Sequence, residues 1–331
     1  MNWESIFSVS LEAIVGSTTI AYALAAIGLN VHFGYTGLLN FGQSAFLGVG
    51  AYGIAITVST FGLPLWLGVA IGLGASILLA LLLGIPTLRL RADYLAIVTI
   101  ASAEIIRLLY RATDLRKWTG ASDGLQGFSQ DFYALNPFAG SGGIDLGLIT
   151  FSDREVWILL VGWILVALSC LVVWLLMKSP WGRVLKAIRE DEDAVRSLGK
   201  NVFSYKMQAL VLGGVIGSLG GFVFALDRAA VQPDTYGTEF TFFAYTIVIL
   251  GGAARVFGPV VGSMIFWVLL VFIDSTLSEM SNNKVLPDWF MSTTQAGSVR
   301  YILVGLGLVL LLIYRPQGIF GDKREVMLDV R

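Results

Sequence analysis

The chain of 331 residues is short of charge, of thiols and of imidazoles: Lys, Arg, Asp and Glu together make up 14% of it, and it holds one Cys and one His. Soluble domains carry roughly a quarter of their residues as these four charged types, so the shortage excludes an ordinary soluble fold. Cys170 can make no internal disulfide. His32 and Cys170 alone cannot assemble the nitrogen and sulfur ligand set of a transition-metal centre, and no metal site is expected. There is no HExxH, no Cys pair and no GxSxG, so no catalytic residue is expected. A phosphate-binding Walker A loop is absent too: Gly199-Lys200 is followed by Asn201, and position 194, where the first glycine would stand, is Ala194. The formal net charge of -1 excludes a nucleic-acid partner, which demands a basic surface.

What fills the chain instead is hydrocarbon. Hydrophobic residues make up 56% and the mean hydropathy is +0.77. From Ala13 to Leu88 there is no Asp, Glu, Lys or Arg, and a membrane helix needs about 20 apolar residues, so several spans fit there. Charge-poor windows at 9–29, 42–61, 65–85, 94–112, 156–177, 207–227, 239–254, 259–277 and 299–314 predict an all-α polytopic membrane protein of about nine helices, within a range of eight to ten. The N-terminal residues lack the basic region and small-residue cleavage site of a signal peptide, so the first span is expected to be retained.

Basic residues set the expected orientation. Segment 178–206 holds seven of the 22 Lys and Arg, and placing it in the cytoplasm with Arg89, Arg91, Arg255, Arg315, Lys323, Arg324 and Arg331 puts 14 of the 22 there. The acidic connection 113–155 then becomes an extracytoplasmic loop, and the whole chain reads as a single membrane domain. Glu104 and Arg107, three apart on one face of a span, form a candidate intramembrane ion pair, either structural or functional.

Residues 30–44, NVHFGYTGLLNFGQS, are too polar to face lipid. Irregular backbone at membrane depth survives only when buried in protein or lining an aqueous cavity, so a broken or re-entrant segment is expected near 30–44. A full crossing there would raise the span count to ten and flip the N-terminus inside. His32 within it is either a satisfied packed histidine or a pathway group. Glycines at 213, 217 and 221 recur every four residues, a spacing that lets helix backbones approach closely.

Five stretches in order, GYTGLLNFGQSAFLGVGAYG (34–53), YLAIVTIASAEIIRLL (94–109), AIREDEDAVRSLGKNVFSYK (187–206), ILGGAARVFGPVVGS (249–263) and YRPQGIFG (314–321), resemble the LivM-type permeases of branched-chain amino-acid ABC importers. The resemblance implies that 178–206 is a cytoplasmic coupling loop that docks on an ATPase, with Arg189, Glu192, Asp193, Ala194, Gly199 and Lys200 as its coupling residues. Asp193 to Gly199 is similar to the importers' Glu-Ala-Ala-x-x-x-Gly pattern, with Asp in place of Glu and Val195 in place of the second Ala. It further implies a second homologous permease subunit, two cytoplasmic ATPase subunits that carry ATP and Mg, an extracytoplasmic substrate-binding protein, a place in the inner membrane and no cofactor on this chain. Transport by ATP-driven alternating access would pass branched-chain or other neutral amino acids, or alternatively urea or short amides. Candidate pathway residues are Tyr35, Thr36, Asn40, Gln43 and Ser44 in the polar break, and Tyr236, Thr238 and Glu239. The competing reading is a secondary transporter driven by an ion gradient, with Glu104, Arg107 and His32 as coupling groups.

Overall fold

The structure is a computed structural model that describes residues 3–89, 92–140, 142–145, 147, 149–282, 293–315 and 317–321. Arg91, Pro316, Lys323, Arg324 and Arg331 lie outside the described residues.

Two helices form the centre. Helix α1 (Trp3–Val15) is followed after Gly16 by α2 (Ser17–Leu29), whose last turn continues as a π-helical turn over Asn30–Tyr35. α3 (Gln43–Ala55) ends in a second π-helical turn, Ile56–Thr60, and is followed by α4 (Leu65–Thr87) and α5 (Ala92–Arg111). A connection carries the short helices α6 (Arg116–Thr119) and α7 (Gln130–Ala134) with strands β1 (Leu125–Gln126), β2 (Ile144–Asp145) and β3 (Thr150–Phe151). Then come α8 (Asp153–Lys178), α9 (Pro180–Glu190), α10 (Glu192–Ser197), α11 (Val202–Arg228), strand β4 (Ala230–Val231), α12 (Thr238–Gly251), α13 (Gly258–Asn282) and α14 (Thr293–Tyr314). Nearly every residue of α2 is buried, and so is most of α11 beyond its first two turns. A helix apolar on all sides belongs inside a bundle.

Glycine explains how closely these helices pack. A Cβ on Gly213 would stand 2.2 Å from His32 Nε2 and 2.4 Å from the Gly28 carbonyl oxygen, and one on Gly221 would stand 2.1 Å from the Leu47 carbonyl oxygen. The four-residue glycine repeat of α11 is therefore the seat of α2 and α3, in keeping with small-residue packing between membrane helices.

Among the described residues, five helical stretches are long and apolar enough to cross a membrane: Trp3–Tyr35, Leu65–Thr87, Asp153–Lys178, Val202–Arg228 and Gly258–Ser281. α12 has 14 residues, too few to cross unaided. α5 carries Asp93, Glu104, Arg107 and Arg111, which lower its hydropathy. The first predicted span, 9–29, differs from what is found: Gly16 adopts an extended backbone with ψ of 159° and divides it into α1 and α2.

The molecule has two distinct ends, separated by the 26 residues of α8, about 39 Å at 1.5 Å per residue. One end carries the 113–152 connection. There β1 pairs antiparallel with β4, and Tyr133 donates to the Leu226 carbonyl at 3.1 Å, its hydroxyl pushed up to about 12 chiefly by burial. The other end carries α9 and α10.

Candidate functional site

The segment between α8 and α11 is shaped by its own short-range signals. Ser179 caps α9 by accepting from the Trp181 N–H at 3.2 Å, with Pro180 in the first helical position, where its missing N–H costs nothing. α9 buries Gly182, Leu185 and Ile188 and leaves Arg183, Lys186 and Glu190 exposed. Asp191 breaks the helix with an extended backbone and caps α10, accepting from the Asp193 and Ala194 N–H groups at 3.0 and 2.9 Å. Gly199 ends α10 in the left-handed region, φ 77°, where glycine is the favoured residue. Asn201 then caps α11 through Ser204 N–H at 3.1 Å.

These caps leave a defined tip. Arg196 bonds both Glu192 and Asp193 at 2.7 Å, so the exposed charges of α10 are paired with one another. Leu198 stands beside them 80% exposed, and Gly199 has open space around it. Of the sequence-predicted coupling residues, Asp193, Ala194, Gly199 and Lys200 face solvent. Glu192 turns partly inward to bond Lys206 on α11, and Arg189 reaches the carbonyl of Gly34. Val195, one of the two departures from the coupling pattern, is buried.

The polar break is a reversal and not a crossing of its own. α2 approaches α9 at Gly34, and after residues 37–42 α3 leads back to the opposite end, where Thr60 donates to the Trp118 carbonyl. The reversal is buried, and its imidazole and carboxamides are hydrogen-bonded. His32 lies 3.1 Å from the Leu210 carbonyl through Nε2, which must therefore donate, and its Nδ1 accepts from Asn40 Nδ2 at 3.0 Å. A neutral imidazole with its proton on Nε2 satisfies both bonds. Asn40 also donates to Gln43, and Gln43 donates to the carbonyls of Ala25 and Gly213, tying the start of α3 to α2 and α11. Thr36 donates to the Val31 carbonyl. Tyr35, Thr36, Asn40, Gln43 and Ser44 are all buried, with Ser44 N–H donating to Thr241 and its hydroxyl without a hydrogen-bond partner among the described residues.

The other candidates lie past the break, against α3 and around the 233–236 turn. Tyr236 packs against Gly48 of α3 and lies edge-on to Tyr52, while Thr238, half-buried, and Glu239, exposed, open α12. Glu104 and Arg107 are bonded, with Nε to Oε2 at 3.0 Å, and Arg107 has a second acid partner in Asp234 of the 233–236 turn. Arg111 approaches that carboxylate at 3.5 Å.

All five family-like stretches touch. Phe41 N–H donates to Thr99 Oγ1 at 3.0 Å, joining the first to the second. Arg189 joins the third to the first through Gly34. Asn30, just before the first stretch, accepts from Ala254 N–H at 2.8 Å and donates to the Arg255 carbonyl at 2.9 Å, reaching the fourth. Ile319 and Phe320 N–H groups donate to the carbonyls of Leu250 and Gly251 at 2.9 and 3.2 Å, so the fifth caps the end of α12. Asn30, Thr99, Thr241, Asp234 and Tyr245, whose hydroxyl donates to the Asn40 carbonyl at 3.1 Å, were not among the predicted site residues. An Asn alone in an apolar run was the one available signal, since a buried amide must find partners.

A family model described as "Branched-chain amino acid transport system / permease component" matches residues 13–313. The chain is 33% identical over 329 residues to the high-affinity branched-chain amino acid transport system permease protein LivM of Salmonella typhimurium, covering 96% of this chain and 72% of that protein. It is 24% identical over 341 residues to the probable LivM of Methanocaldococcus jannaschii, covering 91% of each. A shorter match, 30% identical over 132 residues, links 39% of this chain with 38% of the autoinducer 2 import system permease protein LsrC of Photorhabdus laumondii.

Proposed function

This chain belongs to the permease family of branched-chain amino acid transport systems, the membrane component of an ABC importer, and we propose that it is driven through the tip formed by α10, Leu198 and Gly199. The carrying observation is the composition of that tip. Its charges pair with one another and so cost little to cover, while Leu198, 80% exposed, is an apolar side chain left largely uncovered among the described residues. An apolar anchor ringed by polar groups is the usual make-up of an interface centre and rim. A left-handed glycine directly after the anchor fixes the angle at which the segment leaves the helix.

The assembly that fits has this chain beside a second, homologous permease, with two cytoplasmic ATPase subunits below and an extracytoplasmic binding protein above, in the inner membrane. ATP and Mg bind on the ATPases, and closure of those subunits switches the side to which the pathway opens. The covalent chemistry of the cycle is on the partner chains. Branched-chain and other neutral amino acids are the proposed cargo, in line with the LivM relatives. The partial likeness to a permease named for autoinducer 2 import marks how much the cargo varies on related frames.

Reconstitution tests this reading. In proteoliposomes holding the permease pair with its ATPases and binding protein, uptake of labelled leucine is expected to need ATP and to survive collapse of proton and sodium gradients. Uptake that follows an ion gradient without ATP would sink it.

A further inference from the structure

α9 lies between the exposed tip and the buried reversal, and its last turn touches both. Arg189 donates through Nη1 to the Gly34 carbonyl, which belongs to the final turn of the α2 helix, where carbonyls lack helical partners and the helix dipole is negative. Gly37 has φ 73°, and a Cβ there would stand 3.1 Å from Arg189 Cγ and 3.5 Å from its Cα, so the turn is pressed against the arginine stem. Lys186 Nζ, one turn earlier, lies 5.8 Å from the centre of the Tyr35 ring. In the same turn His32, Asn40 and Gln43 are bonded to one another, and Asn30 is bonded to the 254–255 turn. Beside this contact is a cavity of about 260 Å³, lined in part by Thr36, Gly37, Thr87, Glu192 and Lys206, which leaves room on one side of the Arg189 contact.

We propose that Arg189 is a positioning residue that carries displacement of α9 and α10 to the buried reversal, and so does not serve as a contact to the ATPase. The proposal rests on the reading that the 191–200 tip is where the ATPase docks. Its consequence is separable from docking: losing the bond should spare assembly and weaken transmission.

The test uses the complete reconstituted complex with labelled leucine as the probe, reading ATPase association, ATP hydrolysis and uptake together. Arg189→Met is expected to assemble with the ATPases and to lose at least about ten-fold in leucine moved per ATP hydrolysed, since it removes a hydrogen bond to a charged donor. Arg189→Lys, which can still donate to the Gly34 carbonyl, is expected to recover most of that ratio, a rescue that a merely space-filling role would not give. Should Arg189→Met fail to fold, Arg189→Leu against Arg189→Lys carries the same comparison, since Leu has no donor for the Gly34 carbonyl. A wild-type ratio in the Met variant, failure of Lys to rescue, or loss of ATPase association would each overturn the proposal. The docking reading fails on a different result, a Leu198→Asp complex that assembles and transports normally.

Discussion

The polar break at 30–44 and the charged segment at 191–200 are both hydrophilic interruptions of an apolar chain, and the fold treats them oppositely. The break is buried, with its imidazole and carboxamides bonded to carbonyls and side chains across helices. The tip of the charged segment points away, bonded mainly to itself, with a leucine left uncovered. Polarity alone therefore does not mark a functional surface in a membrane protein. What separates the two regions is where their partners lie, across the bundle for one and within a few residues for the other.

The sharpest way to break that comparison is to insert bulk in each region. At Gly213, a Cβ would meet the buried His32 ring and the Gly28 carbonyl at 2.2 and 2.4 Å, and neither can retreat. Gly213→Leu is expected to yield no monodisperse protein on size exclusion in detergent; a well-behaved variant would show that the break is loosely packed. Gly199 also disfavours a side chain, but only through its φ of 77°, a local cost of about 1–2 kcal/mol with open space around it. Gly199→Val should elute like the wild type and lose ATPase-dependent uptake. Full uptake in that variant would remove the tip from the mechanism.

Removing polarity gives the next effect. Asn30→Ala removes the acceptor of the Ala254 N–H and the amide that donates to the Arg255 carbonyl, and an unsatisfied buried group costs about 1–3 kcal/mol. A fall in Tm of the purified protein is expected, with Asn30→Asp, which buries a carboxylate facing the Arg255 carbonyl, falling at least as far. An unchanged Tm for Asn30→Ala would mean that the two turns are not held together by this amide.

These contrasts also show what the sequence could reveal. The interruption at 30–44 was legible because its polar side chains have no place in lipid. Its form was not, because its partners are remote: His32 and Leu210 are 178 residues apart, Gln43 and Gly213 170, Asn30 and Arg255 225. The caps of the charged segment, Ser179 with Pro180, Asp191, Asn201 and Gly199, act within a few residues and were readable in principle. That Glu192 and Arg189 turn inward was not, since nothing local distinguishes them from Asp193 and Lys200. The extended backbone at Gly16 did leave a trace in the window 9–29, the turn-type cluster Gly16-Ser17-Thr18-Thr19 inside an otherwise apolar run.

The smallest expected effect decides the most about mechanism. Glu104 is paired with Arg107, yet its side chain is 41% exposed, and Arg107 keeps Asp234 as a partner when Glu104 is neutralised. Exposed ion pairs are worth about 0–1 kcal/mol, so Glu104→Gln should shift Tm little and leave leucine uptake within about two-fold of wild type. An ion-coupled carrier would behave differently: if Glu104 carried the coupling proton or cation, its amide would abolish gradient-driven uptake while leaving the protein as stable as before. The pair holds α5 to the 233–236 turn, and Arg107→Ala, which leaves Glu104 without its cation and Asp234 with only Arg111 at 3.5 Å, should cost more stability than Glu104→Gln. A Glu104→Gln variant silent in the melt and lethal to uptake would move the charged group of α5 from structure to transport.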